Sequence, residues 1–338
     1  MVQRETLSFE GGLLLNRETL RGWLMRLGPV IGLLLVYGLF AGIGPSSFSS
    51  ARNLTTILRQ TTIVGTAALG MTMVIVLGGI DLSVGSIVAL STVVIAGLLR
   101  AGLDPLLAAL GGIVAGALCG LVTGTLITRL RVVPFIVTLG MLLMVRGLAK
   151  GLAGEQKIDA PLCWLANLVA ALGPNRRWLL VPPGVWLTLL AALAVAGVLR
   201  YTVFGRHVFA VGSNELTARL CGIAVARTKV LVYTISAAFA GLAGLMQFSR
   251  LTVGDPTVGM GLELDVIAAV VIGGGSLSGG EGSVLGTMVG ALIMTVIRSG
   301  CSQMGLPNWV QEMVTGTIIV LAVALDRLRH RKAQDAMG

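Results

Sequence analysis

The chain has 338 residues, 55% hydrophobic and only 12% charged, with a mean hydropathy of +0.91. A soluble domain carries about 25% charged residues, so this composition excludes a soluble globular protein and predicts one that crosses a membrane many times. The formal net charge of +10 does not signal nucleic acid, because the basic residues are spread beside apolar spans and no basic patch is interleaved with aromatics.

The first 27 residues contain Arg4, Arg17, Arg21 and Arg26, which interrupt any apolar run, and no small-residue cleavage site follows. They read as a cytoplasmic tail rather than a secretory signal. About 20 apolar residues are needed to cross the hydrocarbon. On that ruler the spans fall near 28–44, 60–78, 85–99, 105–127, 132–150, 184–199, 229–248, 263–275, 283–299 and 309–325. The fold class is therefore all-α, a polytopic membrane protein of about ten transmembrane helices, with 85–99, 184–199 and 263–275 short for a full crossing. With the amino terminus inside, the inner segments 1–27, 129–131, 200–228 and 326–338, together with Lys229, hold fifteen of the 25 basic residues. Lys and Arg favour the cytoplasmic side, so both termini are expected there, with 28–326 as the membrane domain, 200–228 as a cytoplasmic loop and 327–338 as a tail. Lys157, Arg176 and Arg177 misfit that orientation.

Cys119, Cys163, Cys221 and Cys301 are scattered, with no Cys-x-x-Cys pair and with His207 and His330 far from any of them. Neither a metal site nor a disulfide framework is expected.

The stretch VIVLGGIDLSVGS, residues 74–86, places a glycine pair and a carboxylate inside a membrane-length run. Gly78 and Gly79 each give up about 1 kcal/mol of helix propensity relative to alanine. Asp81 and Ser83 are good caps for a helix restarting near 84. A break at membrane depth is tolerated only where it is buried in protein or lines water, and an ionised aspartate there must face the bundle or an aqueous cavity. Two readings of Asp81 compete, a cap that satisfies amides and a polar contact on a transported solute. GGIDLSVGS (78–86) lines up with GGGSLSGGEGS (273–283) if two residues are inserted in the second copy. Paired glycine interruptions in matching positions point to a transport site, which makes Gly273, Gly274, Gly275 and Ser276 counterparts of the first break. Ser276, Ser278 and Glu281 read first as turn chemistry. Glu263 and Asp265 suit the positive end of a helix, and Arg146 and Arg298 suit helix ends from which they snorkel. No dense acid or histidine relay runs through the spans, which counts against a proton-driven pump.

In the polar loop, NELTARLCGI predicts a short helix capped by Asn214, with Glu215, Ala218 and Arg219 in its first turns and Gly222 at its end. Spacing alone fits either an interfacial amphipathic helix or a mechanical coupling element. The chain lacks a Gly-x-x-x-x-Gly-Lys-[Ser/Thr] phosphate loop. LSGGE superficially resembles an ATPase signature, but it sits between two spans.

Four stretches in order, LGMTMVIVLGGIDLSVGSIVAL, PFIVTLGMLLMVRGLA, FGRHVFAVGSNELTARLCGI with RTKVLVYTISAAFAGLAGLM, and GLELDVIAAVVIGGGSLSGGEGSVLGTMVGAL, carry a family resemblance over roughly 28–326. The chain resembles the permease subunits of bacterial ABC importers for simple sugars, the ribose, galactose, arabinose and xylose branch of the binding-protein-dependent family. That resemblance implies a non-catalytic, cofactor-free subunit in the bacterial inner membrane. Its implied partners are an ATP-binding cassette subunit with two domains, a periplasmic solute-binding protein, a second permease copy or sister chain, and membrane lipid. It also implies that Gly205, Asn214, Glu215, Ala218 and Gly222 lie in the loop docking on the ATPase. The chain departs there from the family's Glu-Ala-Ala…Gly pattern, with Leu216 and Thr217 between Glu215 and Ala218. Gly78, Gly79, Asp81, Ser83 and Gly273 to Ser276 would lie near the translocation path. The alternative is an ion-coupled secondary transporter, which also uses broken helices.

Overall fold

The computed structural model describes residues 28–335, with side chains omitted at 174, 175, 177, 322 and 325–335. The N-terminal tail, 1–27, lies outside the described residues. Twelve helices follow: α1 (Gly28–Ile43), α2 (Ala51–Val76), α3 (Val84–Arg100), α4 (Pro105–Leu130), α5 (Pro134–Leu152), α6 (Pro183–Tyr201), α7 (Val203–Ser213), α8 (Glu215–Leu220), α9 (Val225–Leu251), α10 (Leu262–Ile272), α11 (Val284–Gln303) and α12 (Asn308–Asp335). Ten of these match the expected spans, and α7 and α8 occupy the polar loop. The strands are two residues each, β1 (Ile158–Asp159) and β2 (Val253–Gly254), paired antiparallel. α12 runs to Asp335 through the basic DRLRHRK run, since nothing in that run breaks a helix.

α4, α5, α6, α9 and α11 are long and apolar enough to cross a membrane. α4, α5 and α6 leave large apolar side chains such as Leu107, Leu118, Leu143, Leu190 and Leu193 exposed, as helices facing lipid do. α2 is the opposite case. At 26 residues, about 39 Å, it runs through the middle of the bundle, and every residue from Thr61 to Val76 is buried. Its threonines make it less apolar than its neighbours, and they are used in bonds between helices. Thr61 pairs with Thr295 of α11 at 2.6 Å, Thr66 with Thr188 of α6 at 2.9 Å, and Thr72 with Thr287 of α11 at 2.9 Å. Polar groups within a membrane bundle hold helices together because lipid offers them no partner.

α4 packs on α9 through small residues at four-residue spacing. A Cβ at Gly120 would sit 2.2 Å from the Tyr233 carbonyl, and one at Gly116 would sit 2.6 Å from that of Ala237. Only glycine permits this backbone approach, the small-xxx-small packing of membrane helices.

Of the three segments expected to be short, α6 is full length at 19 residues. α3 has 17 because it starts at a break. α10 has only 11, about 16 Å, because the segment before it turns back into the bundle. That segment runs alongside α3, with Gly254 packed on Thr92 and Ala96 and Gly259 packed on Gly85. Asp255 shapes it, its Oδ1 accepting from Thr257 N at 2.9 Å and Oγ1 at 2.6 Å. Arg146 of α5 clamps it, donating from Nη1 to the carbonyls of Pro256 at 2.9 Å and Val258 at 2.6 Å.

Candidate functional site

Both glycine interruptions are real breaks with the same ending. α2 stops at Val76, after which Gly78 N donates to Ile75 O and Gly79 N to Val74 O, with Gly78 at φ +83°. α10 stops at Ile272, and Gly274 N and Gly275 N repeat those bonds to Val271 O and Val270 O, with Gly274 at φ +92°. This 6→1 and 5→2 pairing requires a left-handed residue, where glycine carries no Cβ penalty. The restart caps differ in register from the expected alignment. Ser83 follows Gly78 by five positions and Ser283 follows Gly274 by nine, so the second turn is four residues longer, not two.

Asp81 is fully buried, and its Oδ1 accepts from Ser83 N at 2.9 Å and Ser83 Oγ at 2.6 Å. Ser83 makes no side-chain cap of its own, because its hydroxyl is turned onto Asp81. Asp81→Asn keeps the acceptor and is expected to melt and transport like the parent. Asp81→Leu strands the buried Ser83 donors, at about 1–3 kcal/mol, and is expected to lower both melting temperature and membrane yield.

The two breaks touch each other. Gly280 N donates to Val76 O at 2.8 Å, and a Cβ on Gly279 would sit 2.9 Å from Gly78 Cα. Gly79 lies under the Tyr233 hydroxyl, and Gly273 packs on Gly286. Ser276 is buried, its N–H bonded to Glu281 O at 3.1 Å. The end of α7 wedges into this junction. A Cβ at Gly212 would lie 1.8 Å from Val76 O and 2.8 Å from Gly280 N.

α8 follows at once. Asn214 caps it, accepting from Thr217 N at 2.9 Å, and Gly222 at φ +81° ends it, with Gly222 N and Ile223 N bonded to Arg219 O and Ala218 O. Ala218 is buried, whereas Leu216 is 69% and Leu220 81% exposed, one turn apart on the same face. Gly205 allows the turn from α6, since a Cβ there would sit 2.3 Å from Leu199 O. Glu215 bonds Lys229 Nζ of α9 at 2.7 Å and Arg219 Nη2 at 3.0 Å, and these partners, Lys229 foremost, hold its carboxyl below the usual carboxylate range. A carboxyl lowered by folding adds stability above its unfolded pKa and loses it as pH falls through the folded one. Glu215→Gln is therefore expected to melt slightly below the parent near neutral pH, the two curves converging in acid; the pair is partly exposed, so the gap is small.

A cavity of about 350 Å³ opens between α2, α9, α11, α12 and the Gly259–Leu262 turn, and none of the eight expected path residues lines it. A second, of about 500 Å³, lies beside it against α10 and α12 and shares Met260, Arg298 and Gln311 with the first. Arg146 and Arg298 both have partners within the bundle. Arg146 clamps carbonyls as described, and Arg298 Nη2 pairs with buried Asp265 Oδ2 at 2.5 Å. Glu263 Oε1 accepts from Gly261 N at 3.3 Å, a local turn at the start of α10. Gln60, Gln303 and Gln311 line the first cavity, and sequence reasoning passed over them because a lone amide in an apolar span has no periodic signature.

A family model described as branched-chain amino acid transport system / permease component matches residues 53–323. The chain belongs to this permease family. The permease is 38% identical over 315 residues to the ribose import permease protein of Escherichia coli strain K12, covering 93% of this chain and 98% of that one. It is 37% identical over 307 residues to the L-arabinose ABC transporter permease protein of Azospirillum brasilense, covering 91% and 89%. It is 38% identical over 304 residues to the fructose import permease protein of Rhizobium meliloti, covering 88% and 84%. No solved structure matches the permease. It is a multi-pass membrane subunit of the ABC importer class, and the family places ATP hydrolysis on a separate subunit.

Proposed function

We propose that this permease moves a sugar or sugar-like solute across the bacterial inner membrane, receiving it from a periplasmic binding protein and driven by ATP hydrolysed on a partner subunit. The observation that carries this reading is α8, a short capped helix with Leu216 and Leu220 exposed, which continues directly from the helix that touches both breaks. Two leucines exposed on one face at the end of a membrane bundle suit a socket on a soluble partner. The relatives named for ribose, arabinose and fructose supply the solute class.

In this reading Gly205, Asn214, Glu215, Ala218 and Gly222 form the element that docks on the ATPase. Gly78, Gly79, Asp81, Ser83, Gly273, Gly274, Gly275 and Ser276 form the buried joint it moves, rather than a wall that the solute touches. The α8 end faces the cytoplasm, as the basic residues of 129–131, 200–229 and the C-terminal run favour, with both termini on that side and 28–326 as the membrane domain. A second permease, identical or a sister chain, completes the pore. Nucleotide must bind one conformation of the assembly better than the other, or no change of access follows.

Reconstitution tests the reading. The permease, its ATPase subunit and its binding protein are placed in proteoliposomes with labelled ribose, arabinose or fructose. Uptake of one of them that requires both ATP and the binding protein is expected. Uptake that follows an ion gradient without ATP would reinstate the secondary-transporter alternative.

A further inference from the structure

Gln60 of α2 and Gln247 of α9 are half-buried and line one cavity, and neither side chain makes a hydrogen bond among the described residues. Half-buried amides at membrane depth normally find partners, and each offers two donors and an acceptor. Of their polar cavity neighbours, only Arg250 and Ser302, both exposed, also lack a side-chain bond among the described residues. Asn53 Oδ1 accepts from Ser299 Oγ at 3.1 Å and Gln303 Nε2 at 3.3 Å, and Gln311 Nε2 donates to Leu306 O at 2.9 Å. The free hydrogen-bonding capacity of half-buried groups in the cavity is thus concentrated on two facing helices.

We infer that Gln60 and Gln247 form a transient binding site within the permease for an uncharged, polyhydroxylated solute of monosaccharide size. The cavity, at about 350 Å³, lies at the small end of the range for small-molecule sites, about 300–1,000 Å³. Among the described residues, two arginines and no carboxylate line it: Arg298 is paired with Asp265 just outside the lining, and Arg250 is exposed at the edge. An anion would meet no buried unpaired cation, whereas hydroxyls meet amides able both to donate and to accept. Ile63, Val64, Val88 and Leu262 supply an apolar wall for the C–H faces of such a solute. No aromatic side chain among the described residues lines the cavity, so the site holds its solute weakly, as a site on a path must. The cavity is reached from the start of α2 and the ends of α9 and α11, the end opposite α8. The solute would therefore meet it directly after release from the binding protein.

This site rests on the sugar-permease reading, and the experiment separates the two. The full transporter in proteoliposomes is assayed with labelled D-ribose, L-arabinose and D-fructose as wild type, Gln60→Leu/Gln247→Leu and Gln60→Asn/Gln247→Asn. The leucine pair is expected to lower the maximal uptake rate at least tenfold. It should leave the half-saturating concentration of loaded binding protein and the ATP hydrolysis it stimulates within twofold of wild type. The asparagine pair is expected to recover at least a third of the rate. Wild-type uptake by the leucine pair, or a loss of uptake and ATPase together that asparagine does not rescue, overturns the site alone. A wild type that takes up none of the three sugars overturns the sugar reading, and the site falls with it.

Discussion

Gly212→Ala is expected to bring solute uptake below a tenth of wild type and to lower the melting temperature. The added methyl would lie 1.8 Å from Val76 O and 2.8 Å from Gly280 N, both main-chain atoms, so no side-chain rotation relieves the contact. The end of α7 must lift off the junction where Gly280 N bonds Val76 O. Overpacking of this kind costs about 1–3 kcal/mol, and the displacement falls on the link between α8 and both breaks. Gly197→Ala on α6 is the matched control. Nothing lies within 4 Å of its new methyl, and helix propensity favours alanine by about 1 kcal/mol, so uptake and melting should be unchanged or improved. If Gly212→Ala transports at the parent rate, α7 is not the connection through which motion reaches the breaks.

The second large effect is expected at the Arg298–Asp265 pair, whose carboxylate is buried while its guanidinium is 46% exposed. Arg298→Ala leaves the Asp265 carboxylate at 0% exposure without the guanidinium now 2.5 Å away. Removing one partner of a fully buried pair costs about 3–5 kcal/mol, and the half-exposed guanidinium brings the loss here below that range; replacing both partners with apolar residues of similar volume is often neutral. Arg298→Met combined with Asp265→Leu should therefore recover most of the stability lost in Arg298→Ala. Thermal unfolding in detergent reads both, and a double variant as unstable as the single would show that the pair is not the source of the effect.

Much of this architecture is legible in the sequence because its signals are local. Apolar run lengths locate ten spans to within a few residues, apart from the polar first turns of α2 that extend it back to Ala51 and the basic last turns of α12 that carry it to Asp335. Glycine pairs at 78–79 and 274–275 mark helix ends whose bonding needs only neighbouring residues. Asn214 and Gly222 bracket α8 for the same reason. What was not legible depends on contacts across the chain. Arg298 reads as a snorkelling residue until Asp265, 33 positions earlier, is seen beside it. Gly212 reads as one small residue in a polar loop until α2 and the second break close around it. The cavity is built from residues on α2, α9, α11 and α12 that are far apart in the chain, so no one segment announces it.

Energy supplied at α8 must reach the breaks for any of this to amount to transport. The most direct test replaces Leu216 and Leu220 with serine and follows uptake and ATP hydrolysis together in proteoliposomes. Both side chains are exposed, so the fold should persist. The double variant is expected to lose ATP-driven uptake and the hydrolysis stimulated by loaded binding protein, while melting as the parent does. Uptake at the parental rate with both leucines gone would contradict the account.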